Sequence, residues 1–371
     1  MDAPRRETIP FDVFIKRSWP LLAVGAVFIL AACAALLWFA ISGKGRKVSH
    51  PATTATTSTE QVVYSTSTSA LVPRALDGVL VEPSESHLLP FAVMIDNHPD
   101  ARPQAGLAEA NVVIEAPVEG GMSRYMAIFD ATTTADQIGP VRSARPYFVD
   151  IANGLGAVYA HVGGSPDALS ELKTSKVAKN VDEYFNSSTF WRSAKRAAPH
   201  NVYTKMDLLR DIAKAKYWQG DVIHSWRFAD ELPAENASGT KRGTGDGPSV
   251  SYPSVGKISW SYDRRSNMYA RKLNGTSYVE LDGTKVQAKN IIVLQTEAQV
   301  LDSEGRLRVR TTGRGTATIY HDGNKLNGAW TRTSGGWFQF ETVDGADMTF
   351  ARGSMWIEIT ADASATTSTN P

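Results

Sequence analysis

Across residues 88–164, short apolar runs alternate with polar turns. Phe91–Ile95, Asn111–Ile114, Arg124–Phe129 and Ala157–Ala160 are such runs, and the turns between them are rich in Gly and Pro. Apolar stretches of this length bounded by turn residues predict buried strands. Each run leads into a polar residue: Asp96, Glu115, Asp130 or His161. Helical patterns then take over. RPYFVDIANGL predicts a helix beginning near Pro146. Ser165-Pro166-Asp167 opens another, with a serine N-cap, a proline in the first turn and an acid facing the helix dipole. Asp207–Lys216 predicts a third, apolar at Leu208, Leu209, Ile212 and Ala215. Strands mixed with helices predict an α/β (α+β) domain over residues 88–230.

Residues 231–250 (ELPAENASGTKRGTGDGPSV) lose this patterning and read as a linker. Beyond them SVGKISWSYD, NMYARKL, KNIIVLQTEAQVL, GTATIYHDGNKLNGAWTR and SMWIEIT are short, rich in β-branched and aromatic residues, and broken by Asp-Gly and Asn-Gly turns. They predict a smaller all-β antiparallel domain over residues 251–360, followed by a disordered tail, 361–371.

The N-terminus has another pattern. Trp19–Ile41 carries no charge, and at 1.5 Å per residue it makes roughly 34 Å of helix, enough to span a bilayer core. We therefore expect a transmembrane helix or signal anchor behind a cytoplasmic head, residues 1–18. Leu30-Ala31-Ala32-Cys33 matches the small-residue pattern before a lipidated cysteine. AALLWFAI stays apolar past Cys33, however, which favours an uncleaved anchor. Residues 42–87, Ser/Thr-rich for most of their length, predict a disordered linker between membrane and domain.

Composition changes this picture little. Lys+Arg 39 against Asp+Glu 38 leaves a net charge of +1, and no basic–aromatic stripe accompanies it, so no nucleic-acid partner is expected. With Cys33 as the single cysteine, no disulfide framework and no cysteine-based metal site is available to the folded part.

Candidate chemistry gathers at the predicted strand ends. Glu115 and Glu119 flank Pro117, and in extended chain both would point to one side, as a general acid–base pair could. Arg124, Arg142 and Arg145 are equally suited to pairing with them. Arg142 and Arg145 bracket Ser143-Ala144, where guanidinium forks and helix N–H groups could converge on a phosphate or carboxylate. His161 precedes Gly163-Gly164-Ser165, in which Ser165 caps a helix and lacks the surroundings of a nucleophile elbow. His200, in Ala198-Pro199-His200-Asn201, could act as base, metal ligand or hydrogen-bonder. The expected catalytic candidates are Glu115, Glu119, His161 and His200. The expected ligand-binding set is Asp96, Arg102, Glu119, Arg124, Arg142, Arg145, His161 and Asn201, with Glu119, Arg142, Arg145 and His161 in one pocket. No HExxH or paired-histidine spacing is present, and neither a metal nor a cofactor is expected.

ARPQAGLAEANVVIEAPVEGGMSRYMAIF, IGPVRSARPYFVDIA, HVGGSPDAL and APHNVYT, together with the C-terminal GTATIYHDGNKLNGAWTR and MWIEIT, resemble the YerB-like family, built on the domain of unknown function 3048. The resemblance spans residues 88–360 and implies a bacterial extracytoplasmic lipoprotein or anchored protein. The longer apolar start departs from a typical lipoprotein signal. No activity comes with the resemblance. Three classes stay open: a binder of an anionic envelope ligand (glycan, peptide or phosphate-bearing), an envelope hydrolase or transferase, and a scaffold for envelope protein partners.

Overall fold

The first apolar runs become adjacent strands, β1 (Phe91–Asp96), β2 (Val112–Pro117) and β3 (Ser123–Phe129). β1 and β3 are buried along their whole length. Their near-continuous apolar pattern is that of strands covered on both faces. The structure, a computed structural model, describes residues 70–175, 178–220, 225–233 and 242–361 and the backbone of 366–368. The expected head (1–18) and span (Trp19–Ile41) lie outside the described residues. Among the described residues, no helix is long and apolar enough to cross a membrane.

After β3 come α1 (Pro146–Gly154), β4 (Val158–His161), α2 (Pro166–Thr174), β5 (Lys179–Asp182) and α3 (Met206–Ala215). The Ser165 hydroxyl caps α2 by accepting from the Ala168 N–H at 3.4 Å. The C-terminal half supplies β6 (Pro248–Tyr252), β7 (Gly256–Asp263), β8 (Met268–Leu273), β9 (Asn290–Gln295), β10 (Gly313–His321), β11 (Asn324–Arg332), β12 (Gln339–Thr342) and β13 (Met355–Thr360). Asp322 and Gly323 close the β10–β11 hairpin at φ 51° and 69°, the positive angles that suit a two-residue turn.

The N-terminal half is mixed α/β, and the C-terminal half is smaller and largely antiparallel β. The expectation of a purely antiparallel second half needs correction. β13 runs parallel to both neighbours, with Met355 opposite Asn290 of β9 on one side and Val112 of β2 on the other. Among the described residues, ten strands thereby share one sheet in the order β12-β11-β10-β9-β13-β2-β3-β1-β4-β5. β6, β7 and β8 build a second, antiparallel sheet.

The pleat sorts side chains into two cores. Ala92, Met94, Ile114 and Met126 pack with Phe148 and Ile151 of α1 and Leu172 of α2. On the other face Val93, Ile95, Val113 and Ala127 pack with Met206 and Leu209 of α3 and with Ile258, Trp260 and Tyr269 of the second sheet. Phe148 has no exposed surface, so cutting it to alanine is expected to cost about 3–5 kcal/mol.

Ordered chain also reaches further than expected. Val72–Pro73 pairs with Leu80–Val81, and Leu76 and Asp77 are buried between them, so the linker expected through residue 87 ends earlier. A buried side chain can keep such polar-flanked segments in place, and here the Asp77 carboxylate accepts from Asn111 Nδ2 at 2.7 Å. Within the expected 231–250 linker, β6 begins at Pro248, and Arg242 donates to Glu231 Oε1 at 2.7 Å. Residues 234–241 of that stretch lie outside the described residues. Thr366–Ser368, in the expected tail, pairs with Pro248–Val250.

Candidate functional site

Asp96 ends β1, and Arg124 lies directly opposite it near the start of β3. Both therefore project to the α1/α2 face, next to the loop that carries Arg142 and Arg145. That loop is fixed by its backbone: Arg142 N–H donates to Met94 O at 2.9 Å and Ala144 N–H to Gly163 O at 3.0 Å. Arg145 precedes Pro146 and is held extended, at φ −133° and ψ 149°, as the residue before a proline tends to be.

The charges form a chain. Arg145 grips Glu119 with two bonds, Nε to Oε2 at 2.9 Å and Nη2 to Oε1. Arg124 Nη2 stands 3.7 Å from Glu119 Oε1, and its Nη1 donates to Ser143 O at 2.8 Å. At the other end Asp96 Oδ2 receives His200 Nδ1 at 2.7 Å and stands 3.0 Å from Arg142 Nε. That arginine nitrogen is at ion-pair distance, but its N–H is not aimed along a hydrogen bond. Asp96 Oδ1 accepts from the His98 N–H at 3.1 Å.

Burial alone would raise both carboxyls, and the arginines outweigh it. Glu119 is drawn down to about 2 by Arg145 and Arg124, and Asp96 is lowered by Arg124 and Arg142. Arg124 is brought down to about 10, chiefly by burial and then by the nearby Arg145 charge. Ion pairs and histidines thus concentrate at one end of the N-terminal half.

Of the expected residues, Asp96, Glu119, Arg124, Arg142, Arg145 and His200 meet here. Glu115 does not. It has no exposed surface and belongs to the other face of the sheet. Its Oε1 accepts from Asn97 Nδ2 at 3.1 Å and Ser123 Oγ at 2.5 Å, and its Oε2 from Arg271 Nη2 at 2.8 Å. The expected Glu115/Glu119 pair is divided because a short 3-10 turn over Glu119–Gly121, with Gly120 at φ 69°, ends the two-residue alternation after Pro117. Arg271 sits among the rings of Tyr125, Trp260, Tyr278 and Trp356, 4.9–5.7 Å from their centroids. Its Nη1 is 3.9 Å from Glu358 Oε1. Burial and the neighbouring Glu115 push the Glu358 carboxyl well up.

His161 is shut below the loop rather than open to a pocket. Its Nδ1 bonds Gly163 O at 2.7 Å and its Nε2 bonds Asn180 Oδ1 at 2.8 Å. Arg102 braces Asn97, through Nε to Oδ1 at 3.1 Å and Nη2 to the carbonyl at 2.7 Å. The Asn201 side chain is engaged elsewhere, its Oδ1 accepting from Arg192 Nη1 at 3.1 Å.

Sequence reasoning did not single out His98 and Asp100. The His98 ring stacks on His200, centroids 4.6 Å apart and planes 16° apart. With Asp100 the two histidines offer ligand atoms within 4.8 Å of one another. The only signal was the polar run Asn97-His98-Pro99-Asp100 directly after a strand. Leu307 lines two spaces. A cleft of about 750 Å³ lies between α1, α2 and the hairpin Ala298–Val300/Leu307–Val309, lined by Tyr147, Asp167, Glu171 and Arg310 among others. A smaller one, about 300 Å³, is lined by Gly120, Gly305 and Leu307.

Two family models match the chain: protein of unknown function (DUF3048) N-terminal domain at residues 76–219, and its C-terminal domain at residues 249–357. YerB of Bacillus subtilis (strain 168), which carries the name of a candidate lipoprotein, is 30% identical over 294 residues, 78% of this chain and 86% of that protein. The crystal structure of YerB from Bacillus subtilis superposes with a TM-score of 0.71 at 28% identity, covering 81% of this chain and 100% of that one. With both halves matched in order, the chain belongs to the DUF3048 family.

Proposed function

We propose that the chain is a membrane-anchored extracytoplasmic protein that binds an anionic cell-envelope ligand at the Arg142 end of the charged cluster. The observation that carries this reading is the state of Arg142. Its Nε stands 3.0 Å from Asp96 Oδ2, its side chain is 26% exposed, and neither Nη group has a hydrogen-bond partner among the described residues. A guanidinium with both outer nitrogens free is suited to a phosphate or carboxylate, which it meets with two parallel bonds. The cluster sets three guanidiniums (Arg124, Arg142, Arg145) against two carboxylates (Asp96, Glu119), so its balance favours an anion. The name of the similar Bacillus protein and the charge-free Trp19–Ile41 support an anchored, extracytoplasmic placement.

The test uses the full chain purified in detergent and envelope fragments bearing phosphate or carboxylate groups. Arg142→Ala should weaken capture at least about tenfold, as expected for losing a charge-assisted fork, and leave the melting temperature close to that of the parent. Unchanged capture would sink the reading. A large fall in melting temperature would make Arg142 a structural partner of Asp96.

One observation favours a second reading, an envelope hydrolase or transferase. Asp96 accepts from His200 Nδ1 at 2.7 Å, which leaves His200 Nε2 as a positioned proton acceptor of the kind general-base catalysis uses. Conversion of the fragments into products, lost in His200→Ala, would select this reading over simple capture.

A further inference from the structure

We infer that His98, Asp100 and His200 form a binding site for a divalent transition metal ion of the zinc type. The inference is separate from anion capture, since it concerns an ion of opposite charge and different side chains.

The donor set is two imidazoles and one carboxylate, the mixture that suits zinc and its neighbours and leaves a fourth position open. A zinc ion with donors at about 2.0–2.1 Å in a tetrahedron sets them roughly 3.4 Å apart. His98 Nδ1 and Asp100 Oδ2 already stand 3.6 Å apart. The three ligand atoms fall within 4.8 Å of one another, and the His98 ring, stacked on His200 with planes 16° apart, has to turn out of that stack for both lone pairs to face one ion. Freedom for that movement exists, because the His98 and Asp100 side chains are 44% and 76% exposed. The one bond to be given up is long, Asp100 N–H to His98 Nδ1 at 3.2 Å.

A second observation comes from behind the site. Metal-binding histidines characteristically donate their other ring nitrogen to a carboxylate, which fixes the tautomer and aims the free lone pair. His200 has this support: its Nδ1 bonds Asp96 Oδ2 at 2.7 Å, and Asp96 is itself held by Arg142 and by the His98 N–H. His200 Nε2 has no partner among the described residues. The loop carrying Asp100 is clamped by Arg196, which donates to Asp100 O at 2.9 Å and Pro103 O at 2.6 Å. A fixed backbone with movable side chains is what a closing metal site requires.

The test is zinc chloride titrated into the chelator-treated full chain in detergent, with no envelope fragment present. The expected result is saturable uptake of about one ion per chain, reversed by chelator and accompanied by a rise in melting temperature. His98→Ala, Asp100→Asn and His200→Ala should each weaken it at least about tenfold. His87→Ala, on an exposed histidine outside the trio, should leave it unchanged. His98→Ala keeps the backbone N–H that supports Asp96, so it reports on the site even if His200→Ala fails to fold. No saturable uptake by the parent chain, or equal uptake by His98→Ala, would overturn the inference. Anion capture is measured without metal, so either result can fail alone.

Discussion

Two glutamates four positions apart meet opposite fates. Glu115 is sealed against Arg271, where neither side chain has exposed surface. Removing one partner of such a pair leaves the other charge buried, so Glu115→Ala should destabilise by about 3–5 kcal/mol, measured by urea melts. Changing Glu115 and Arg271 together to apolar residues should cost much less. Glu119 is partly open and makes a prediction in pH instead. Its carboxyl is drawn from its usual value of 4.5 down to about 2 by Arg145 and Arg124 against the pull of burial. A lowered acid contributes stability that is present above the unfolded value and is lost as pH falls through the folded one. Between pH 5 and pH 2, the parent should therefore lose more stability than Glu119→Gln, read as the shift of the urea midpoint. Equal slopes would refute the assignment. The sequence marked both residues, but not their partners. Arg271 is 156 positions from Glu115 and His200 is 104 from Asp96, and neither distance leaves a trace in local pattern.

Elements were more legible than partners. The runs around 91–129 and 158–161, the Ser165 cap and the helix at Met206–Ala215 all follow from apolar spacing and local capping chemistry. What spacing does not encode is order in the sheet. MWIEIT is buried at every position, so its pattern says only that both faces and both edges are covered. Its place between β9 and β2 leads to a test of the expected 231–250 boundary. A fragment ending at residue 230 would leave the β2 edge unpaired, with Val112 and Ile114 deprived of neighbours, and unsatisfied edges invite aggregation. That fragment should be insoluble or unfolded alone and recover when co-expressed with residues 231–371, as judged by co-purification. A soluble, folded fragment 1–230 would show that the two halves are independent.

At the scale of the whole chain, the near-zero net charge of +1 conceals a local imbalance at the arginine cluster. Composition therefore gave no hint of the site, whereas the strand-end pattern did. The expected anchor carries the topological prediction: residues 42–371 lie outside the membrane. Protease added to intact, wall-stripped cells should remove the folded part, followed by antibody against the C-terminus. Full protection in cells whose membrane is sealed would reverse the orientation.

The position of β13 also has a temporal meaning. Synthesis runs from the N-terminal side onward, so the strand that joins the two halves, Met355–Thr360, is made more than two hundred residues after its partner Val112–Pro117. Until then β2 and β9 each wait with an open edge, and the pairing of Ile357 with Ile114 must close a loop of more than two hundred residues. Contacts this remote in sequence slow folding, because the entropy of closure is spent before the contact forms. The nascent chain thus passes through a long interval in which its N-terminal half is made but its sheet is incomplete and prone to wrong pairing. Synthesis of Met355–Thr360 ends that interval, which makes this strand the step that commits the large sheet to its order.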